Sequence, residues 1–197
     1  MSGIKAIIFD LNGVFVQAPL LSDRLEKDFS LPHGEFLPVL KKIMDQVRQP
    51  NAPKAYQLFK PYLEKWKIDL TKEEFIDYWF SAEQGNQELI EIARAQKQKG
   101  LRLFVYSNNF KERSNHYFIH LPFLAELFEQ VYYSWQIGYV KPSAAGLLHI
   151  CQEINLDPNE GLAIDDSKKN IETARSIGMR GFVFKDAAQV REYLNKL

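Results

Sequence analysis

The chain has 197 residues, 46% of them hydrophobic, with 25 Lys and Arg set against 25 Asp and Glu. That is enough for one α/β domain with an insertion, or for two small domains, and too apolar for a disordered chain. Balanced charge excludes a global field that draws nucleic acid or an anionic membrane, no apolar run approaches the ~20 residues that span a bilayer, and the single Cys151 excludes an intramolecular disulfide or a cysteine zinc cluster.

The first residues run straight into an apolar segment and carry no signal-peptide pattern, so a cytoplasmic location is expected. Residues 4–9 read as a buried strand, short, branched and bounded by turn chemistry. This strand stops at Asp10, and Asn12-Gly13 follows as a tight turn. Residues 19–84 change character. Aromatic and charged residues mix at helical spacing, as in Phe36, Val39, Leu40, Ile43 and Val47. Helical pieces over 55–66 and 71–81 come next, the second opened by Thr71 with Glu74 three residues on, a capping box. The region is expected to be a helical insertion with no strand of its own.

From Gln87 the pattern alternates. A helix over 88–98 is closed by Gly100, a strand over 101–106 ends at Ser107-Asn108-Asn109, and a helix spans roughly 111–119. A strand over 129–134, a helix over 143–154 and a strand over 161–164 follow. The last pieces are a helix over 167–177 stopped by Gly178, a strand over 181–184 and a helix over 187–195. Strands alternating with helices imply parallel pairing and right-handed crossovers. Open parallel sheets gather their chemistry at the carboxyl ends of the strands. Asp10 sits at one such junction and Asp165-Asp166 at another. Three carboxylates and one tight turn point to a divalent cation held by oxygen ligands.

Four stretches together resemble the haloacid dehalogenase superfamily of phosphotransferases and hydrolases. They are Phe9-Asp10-Leu11-Asn12-Gly13-Val14, then Val105-Tyr106-Ser107-Asn108-Asn109, then Lys141-Pro142, then Ile164-Asp165-Asp166-Ser167 with Asn170 and Gly178-Met179. The tail looks most like the subgroup containing the phosphatase domain of soluble epoxide hydrolases and bacterial sugar-phosphate phosphatases. The resemblance implies a three-layer, Rossmann-like α/β core with a parallel sheet, over residues 1–18 and 85–197, and an inserted α-helical cap over 19–84. It also implies Mg²⁺-dependent hydrolysis of small phosphomonoesters, sugar phosphates among them, through an aspartyl-phosphate on Asp10. Asp10, the main-chain carbonyl of Asn12, Asp166 and, directly or through water, Asp165 would hold the Mg²⁺. The Ser107 hydroxyl and Asn108 amide would bind phosphate oxygens, and Lys141 would pair with both the phosphate and the Asp10 carboxylate. The expected partner is a small phosphorylated metabolite, not nucleic acid or a membrane. Oligomeric state has no signal in the chain.

One position departs from the pattern. Phosphatases of this kind carry an Asp two residues after the nucleophile, which protonates the leaving alcohol and then activates water. Here it is Asn12. General acid–base help is worth ~10²–10⁴ in rate. Four readings stay open: a natural enzyme that hydrolyses through water or another group, a weakly active or purely phosphometabolite-binding protein, other superfamily chemistry such as dehalogenation, or an Asp-to-Asn substitution introduced to slow turnover. Dehalogenation has the difficulty that Leu11 and Val14 bring no arginine to the first motif, Arg24 being the nearest. Cys151 and the four histidines are expected to be structural or surface residues. The aromatics between Tyr56 and Phe80 are expected to be mostly insertion core, and Phe15 and Gln17 are taken as natural contacts for a leaving group.

Overall fold

The computed structural model describes residues 3–196. The chain opens with β1 (Ala6–Phe9) and β2 (Val16–Gln17), followed by four helices, α1 (Leu21–Phe29), α2 (His33–Val47), α3 (Ala55–Lys65) and α4 (Lys72–Phe80). Then come β3 (Gln84–Gly85), α5 (Gln87–Gln98), β4 (Arg102–Ser107), α6 (Lys111–His120), α7 (Phe123–Leu127), β5 (Gln130–Tyr133) and α8 (Ser134–Ile137). The chain closes with α9 (Ala144–Glu153), β6 (Gly161–Asp165), α10 (Lys168–Ser176), β7 (Arg180–Val183) and α11 (Ala187–Leu194).

Five strands form one sheet in the order β5-β4-β1-β6-β7. All four pairings are parallel, as the alternation of strands and helices predicts. The central strand β1 is buried on both faces because its side chains alternate between two helical layers. Ile7 and Phe9 pack with Leu89 and Ala93 of α5 and Val190 of α11. Ala6 and Ile8 pack with Ile150 and Cys151 of α9 and Ile171 and Ala174 of α10. Each fully buried Ile or Phe contributes roughly 1.5–3 kcal/mol, so the three layers hold β1, and the residue that ends it, in a fixed place.

Helix starts follow local chemistry. Thr71 and Glu74 form the expected capping box, with Glu74 N–H to Thr71 Oγ1 at 3.3 Å and Thr71 N–H to Glu74 Oε2 at 2.8 Å. Asn86, Ser143 and Asp186 cap α5, α9 and α11. Helices α1–α4 bury Leu25, Phe36, Phe59, Phe75 and Phe80 around a separate apolar cluster, which also takes in Phe110 from the loop before α6. The two ends of this helical segment meet: β2 pairs antiparallel with β3, Val16 against Gly85 and Gln17 against Gln84.

That two-stranded ribbon corrects one expectation. Gln84 belongs to a strand, so the insertion leaves and re-enters the sheet domain through paired backbone. Two residues a side carry no readable period. The short helices α7 and α8 escaped the sequence for the same reason. No helix among the described residues is long and apolar enough to cross a membrane.

Candidate active site

The parallel register sets the site. Phe9 lies opposite Val105 of β4 and Ile164 of β6, so the residues that end these three strands come out along one edge. The Asp10 N–H extends the ladder by one bond, donating to the Ile164 carbonyl at 2.8 Å. Beyond it the chain reverses at once. The Leu11 carbonyl accepts from the N–H groups of Val14, Phe15 and Val16 at 3.3, 2.9 and 2.9 Å. Gly13 sits inside this reversal at φ +85°, and a Cβ placed there would collide with the Asp166 carboxylate. Glycine is needed twice over, for the left-handed backbone and for the close approach of Asp166.

Carboxylate oxygens of Asp10, Asp165 and Asp166 all lie within 4.8 Å of one another. Lys141 Nζ bridges two of them, at 2.8 Å from Asp10 Oδ1 and 2.7 Å from Asp165 Oδ2. Asp10 Oδ1 also accepts from the Leu11 N–H at 2.7 Å. Asp165 is held on every side: Asn170 Nδ2 donates to both its oxygens at 2.9 and 3.0 Å, and the Ser167 N–H donates to Oδ1 at 2.8 Å. Asp165 thus orients Lys141, while Asp166, more exposed, faces the Gly13 turn.

Crowding of like charge in a buried place has the expected effect. Burial pushes the Asp10 carboxyl up to about 6, against the opposing pull of Lys141, and Asp165 adds to the rise. Burial, then the neighbouring Asp165, also raises Asp166. For Lys141, burial works against the charge, but the Asp10 and Asp165 carboxylates outweigh it and the ammonium is held more firmly than usual. One cation among three carboxylates leaves the cluster short of positive charge. Converging hard oxygen donors suit Mg²⁺, so the residues present fit that ion.

Asn12 is tied at both ends of its amide. The Tyr117 hydroxyl donates to Asn12 Oδ1 at 2.6 Å, and Asn12 Nδ2 donates to Ser107 Oγ at 3.2 Å. Tyr117 and Ser107 are fully buried. Ser107 accepts from the amide, which leaves its own hydroxyl proton free to point away from Asn12. Behind Tyr117 lies a buried ion pair between Arg113 and Glu83, with the Arg113 guanidinium 5.5 Å from the Tyr117 ring centroid. A cavity of about 450 Å³, lined by Asn12, Gly13, Gln17, Trp79, Glu83 and Arg113, opens between the sheet edge and the helical segment.

Every residue expected at the site lies at this edge, including Lys141, which the sequence separates from Asp10 by more than a hundred positions. Two expectations change. The Asn108 side chain is spent on the loop that carries Lys141, its Nδ2 donating to the Lys141 carbonyl at 2.8 Å and its Oδ1 accepting the Lys141 N–H at 2.7 Å. Phe15 is no leaving-group contact; it is buried edge-on against Phe9 and Phe128 at 5.0 and 5.2 Å. Gln17 does line the cavity. Cys151 is buried, and its thiol is pushed up to about 11 by that burial, as befits a structural residue. His116 and His120 lie one turn apart on α6, stacked at 4.2 Å.

Four residues of the site carried no sequence signal: Tyr117, Arg113, Glu83 and Arg48. Arg48 follows α2, and its buried Nε has no hydrogen-bond partner. Burial lowers its pKa, the like charge of Arg113 lowers it further, and Asp45 and Asp10 pull it back. Nearby, the Pro50 side chain lies 3.6 Å from where a Cβ on Gly138 would stand. The end of α2 therefore overhangs the loop that carries Lys141.

Comparison with known proteins agrees with this geometry. A model of the haloacid dehalogenase-like hydrolases matches residues 4–178. The chain is 29% identical over 203 residues to enolase-phosphatase E1 of Aquifex aeolicus, covering 90% of this chain and 88% of that protein. It is 28% identical over 115 residues to bifunctional epoxide hydrolase 2 of Rattus norvegicus, but the match spans 57% of this chain and only 21% of the longer relative. Among solved structures, a HAD family enzyme of Bacteroides thetaiotaomicron superposes with a TM-score of 0.82 at 19% identity over 98% of this chain and 99% of that one. The same enzyme has been solved in complex with magnesium and inorganic phosphate, a form that matches with a TM-score of 0.75 at 18% identity over 93% of this chain and 95% of that one.

Proposed function

The chain belongs to the haloacid dehalogenase-like hydrolases, and on that premise we propose that it is a Mg²⁺-dependent phosphatase of small phosphorylated metabolites, with Asp10 as nucleophile. The observation that carries this reading is the convergence of the Asp10, Asp165 and Asp166 carboxylates within 4.8 Å, with Lys141 bridging Asp10 and Asp165. A site for phosphoryl transfer needs a nucleophile, charge neutralisation and positioning, and these residues offer all three.

Asp10 attacks phosphorus with one carboxylate oxygen and becomes an aspartyl-phosphate. Lys141 and the Leu11 N–H already hold its Oδ1. Asp10, Asp166 and the Asn12 carbonyl, with Asp165 beside them, would hold Mg²⁺, which when bound supplies positive charge against that of the phosphoryl group. Ser107 donates its hydroxyl proton to a phosphoryl oxygen, since Asn12 occupies its acceptor side. With the Asn108 side chain committed, its main-chain N–H takes the second phosphate contact. Water then hydrolyses the aspartyl-phosphate and frees Asp10. Helices α1–α4 act as a cap that keeps bulk water out during transfer. We take the partner to be a small phosphorylated metabolite rather than nucleic acid or a membrane, in keeping with the balanced charge.

A screen of phosphomonoesters with Mg²⁺, comparing the native chain with Asp10→Asn, tests the proposal. Phosphate release that disappears in Asp10→Asn supports it. Phosphate bound but never released from any ester favours the second reading, a phosphometabolite-binding protein, to which the tied amide of Asn12 lends weight.

A further inference from the structure

A leaving group that departs from phosphorus carries negative charge, and an alkoxide needs a proton as it goes. Around position 12 the side chains of Asn12, Tyr117, Glu83 and Lys141 are committed, and the two described donors left over, the Arg48 guanidinium and the Ser107 hydroxyl, hold their protons too tightly to give one up. Asn12 is an amide with both ends bonded. The Tyr117 hydroxyl spends its proton on Asn12. Glu83 is a buried carboxylate clasped by Arg113. The Lys141 ammonium binds Asp10 and Asp165 at the base of the site. His116 lines a different cavity, with Asp77, Phe80 and His120, beyond Glu83.

Resting on the phosphatase reading above, we infer that the site takes phosphates whose leaving group is stable as an anion: acyl, enol and aryl phosphates, not simple alkyl phosphates. In the first step the Asp10 oxygen–phosphorus bond forms as the phosphorus–leaving-group bond breaks. The leaving group departs as an oxyanion with its electron pair, and meets solvent protons afterwards. In the second step water attacks phosphorus, Asp10 leaves as a carboxylate, and both hydrogens of the water end on the product as H₂PO₄⁻. Neither step asks a side chain for a proton. The Asp10 carboxylate is a good leaving group in its own right, so the second step suffers less from the missing base than the first does from the missing acid.

The test is a series of substituted phenyl phosphates, alike in shape but graded in phenol acidity, with acetyl phosphate and an alkyl phosphate at the extremes. The parameter is kcat/KM, which reports the step in which the leaving group departs. In the native chain it should fall by about 10² or more from 4-nitrophenyl to phenyl phosphate, the order a missing general acid exacts. Acetyl phosphate should be a good substrate and the alkyl phosphate nearly inert. Asn12→Asp should flatten the series to less than about tenfold and rescue the alkyl phosphate, because a carboxyl at position 12 can carry the proton that a departing alkoxide needs. A flat series in the native chain overturns the inference while leaving the phosphatase reading standing. If no member of the series is hydrolysed above the Asp10→Asn background, both fall. The native series decides even if Asn12→Asp does not fold.

Discussion

The Tyr117 hydroxyl donates to Asn12 Oδ1 across 2.6 Å, joining helix α6 to the loop after β1 across a sequence separation of 105. This bond fixes which way the Asn12 amide faces, and therefore that Nδ2 meets Ser107. Tyr117→Phe removes the donor and leaves the half-buried Asn12 carbonyl oxygen without it. The expected cost is about 1–3 kcal/mol of stability, read by urea unfolding. The amide is then free to flip, so kcat/KM should fall while the KM for phosphate esters changes little. Unchanged kinetics at reduced stability would mean that Asn12 does not orient Ser107.

Gly13→Ala tests the turn that brings Asp166 to the cation site. Left-handed backbone costs an alanine about 1–2 kcal/mol, and its Cβ would push into the Asp166 carboxylate. Mg²⁺ affinity, followed by calorimetric titration, should drop by at least an order of magnitude, out of proportion to a modest loss of Tm. Full Mg²⁺ affinity in this variant would remove Asp166 from the ligand set.

The raised Asp10 sets a pH dependence for metal binding. Its carboxyl stands at about 6 in the folded protein against 3.8 ordinarily, with burial the main cause. Between those values the folded state holds a proton that the unfolded state has lost. Metal-free stability therefore falls as pH rises through this window. Mg²⁺ binds only the ionised carboxylates. The rise in Tm on adding Mg²⁺ should be small below about pH 5 and reach its full size above about pH 7. A Tm gain independent of pH would place the ion away from Asp10.

Arg48 keeps a buried, unpartnered Nε under the charge of Arg113. Desolvating such a group without a partner costs stability, which points to a ligand that repays it. Arg48→Ala should leave Tm unchanged or raise it, while KM for phosphate esters climbs by roughly tenfold, about 1.4 kcal/mol of lost binding. A fall in Tm with unchanged KM would make Arg48 a packing residue.

Much of this molecule was legible in the chain itself. Period, caps and breakers mark most helices and strands because these effects are local: Thr71 caps with Glu74 whatever lies beyond, and the apolar run from Ala6 to Phe9 has to be buried wherever it goes. Asp10 and Asp165-Asp166 could be read as site residues because each ends an apolar run, and strand ends in a parallel sheet share one edge. Elements of two to five residues, such as the β2–β3 ribbon and α8, hold too little period to be read.

The contacts that give the site its character came only from the folded chain. Nothing near Asn12 in sequence announces Tyr117, and nothing near Tyr117 announces Glu83. Their meeting depends on how α6 and the end of the helical segment pack against the sheet. The sequence by itself determined which groups end the strands and that position 12 has no carboxyl. Tertiary packing alone decided that its amide is locked, that Asp165 serves Lys141, and that Arg48 lies within reach of the Arg113 and Asp10 charges. Backbone preference reaches only a few residues along the chain, whereas a buried polar group takes whatever partner the packed core brings within hydrogen-bond reach.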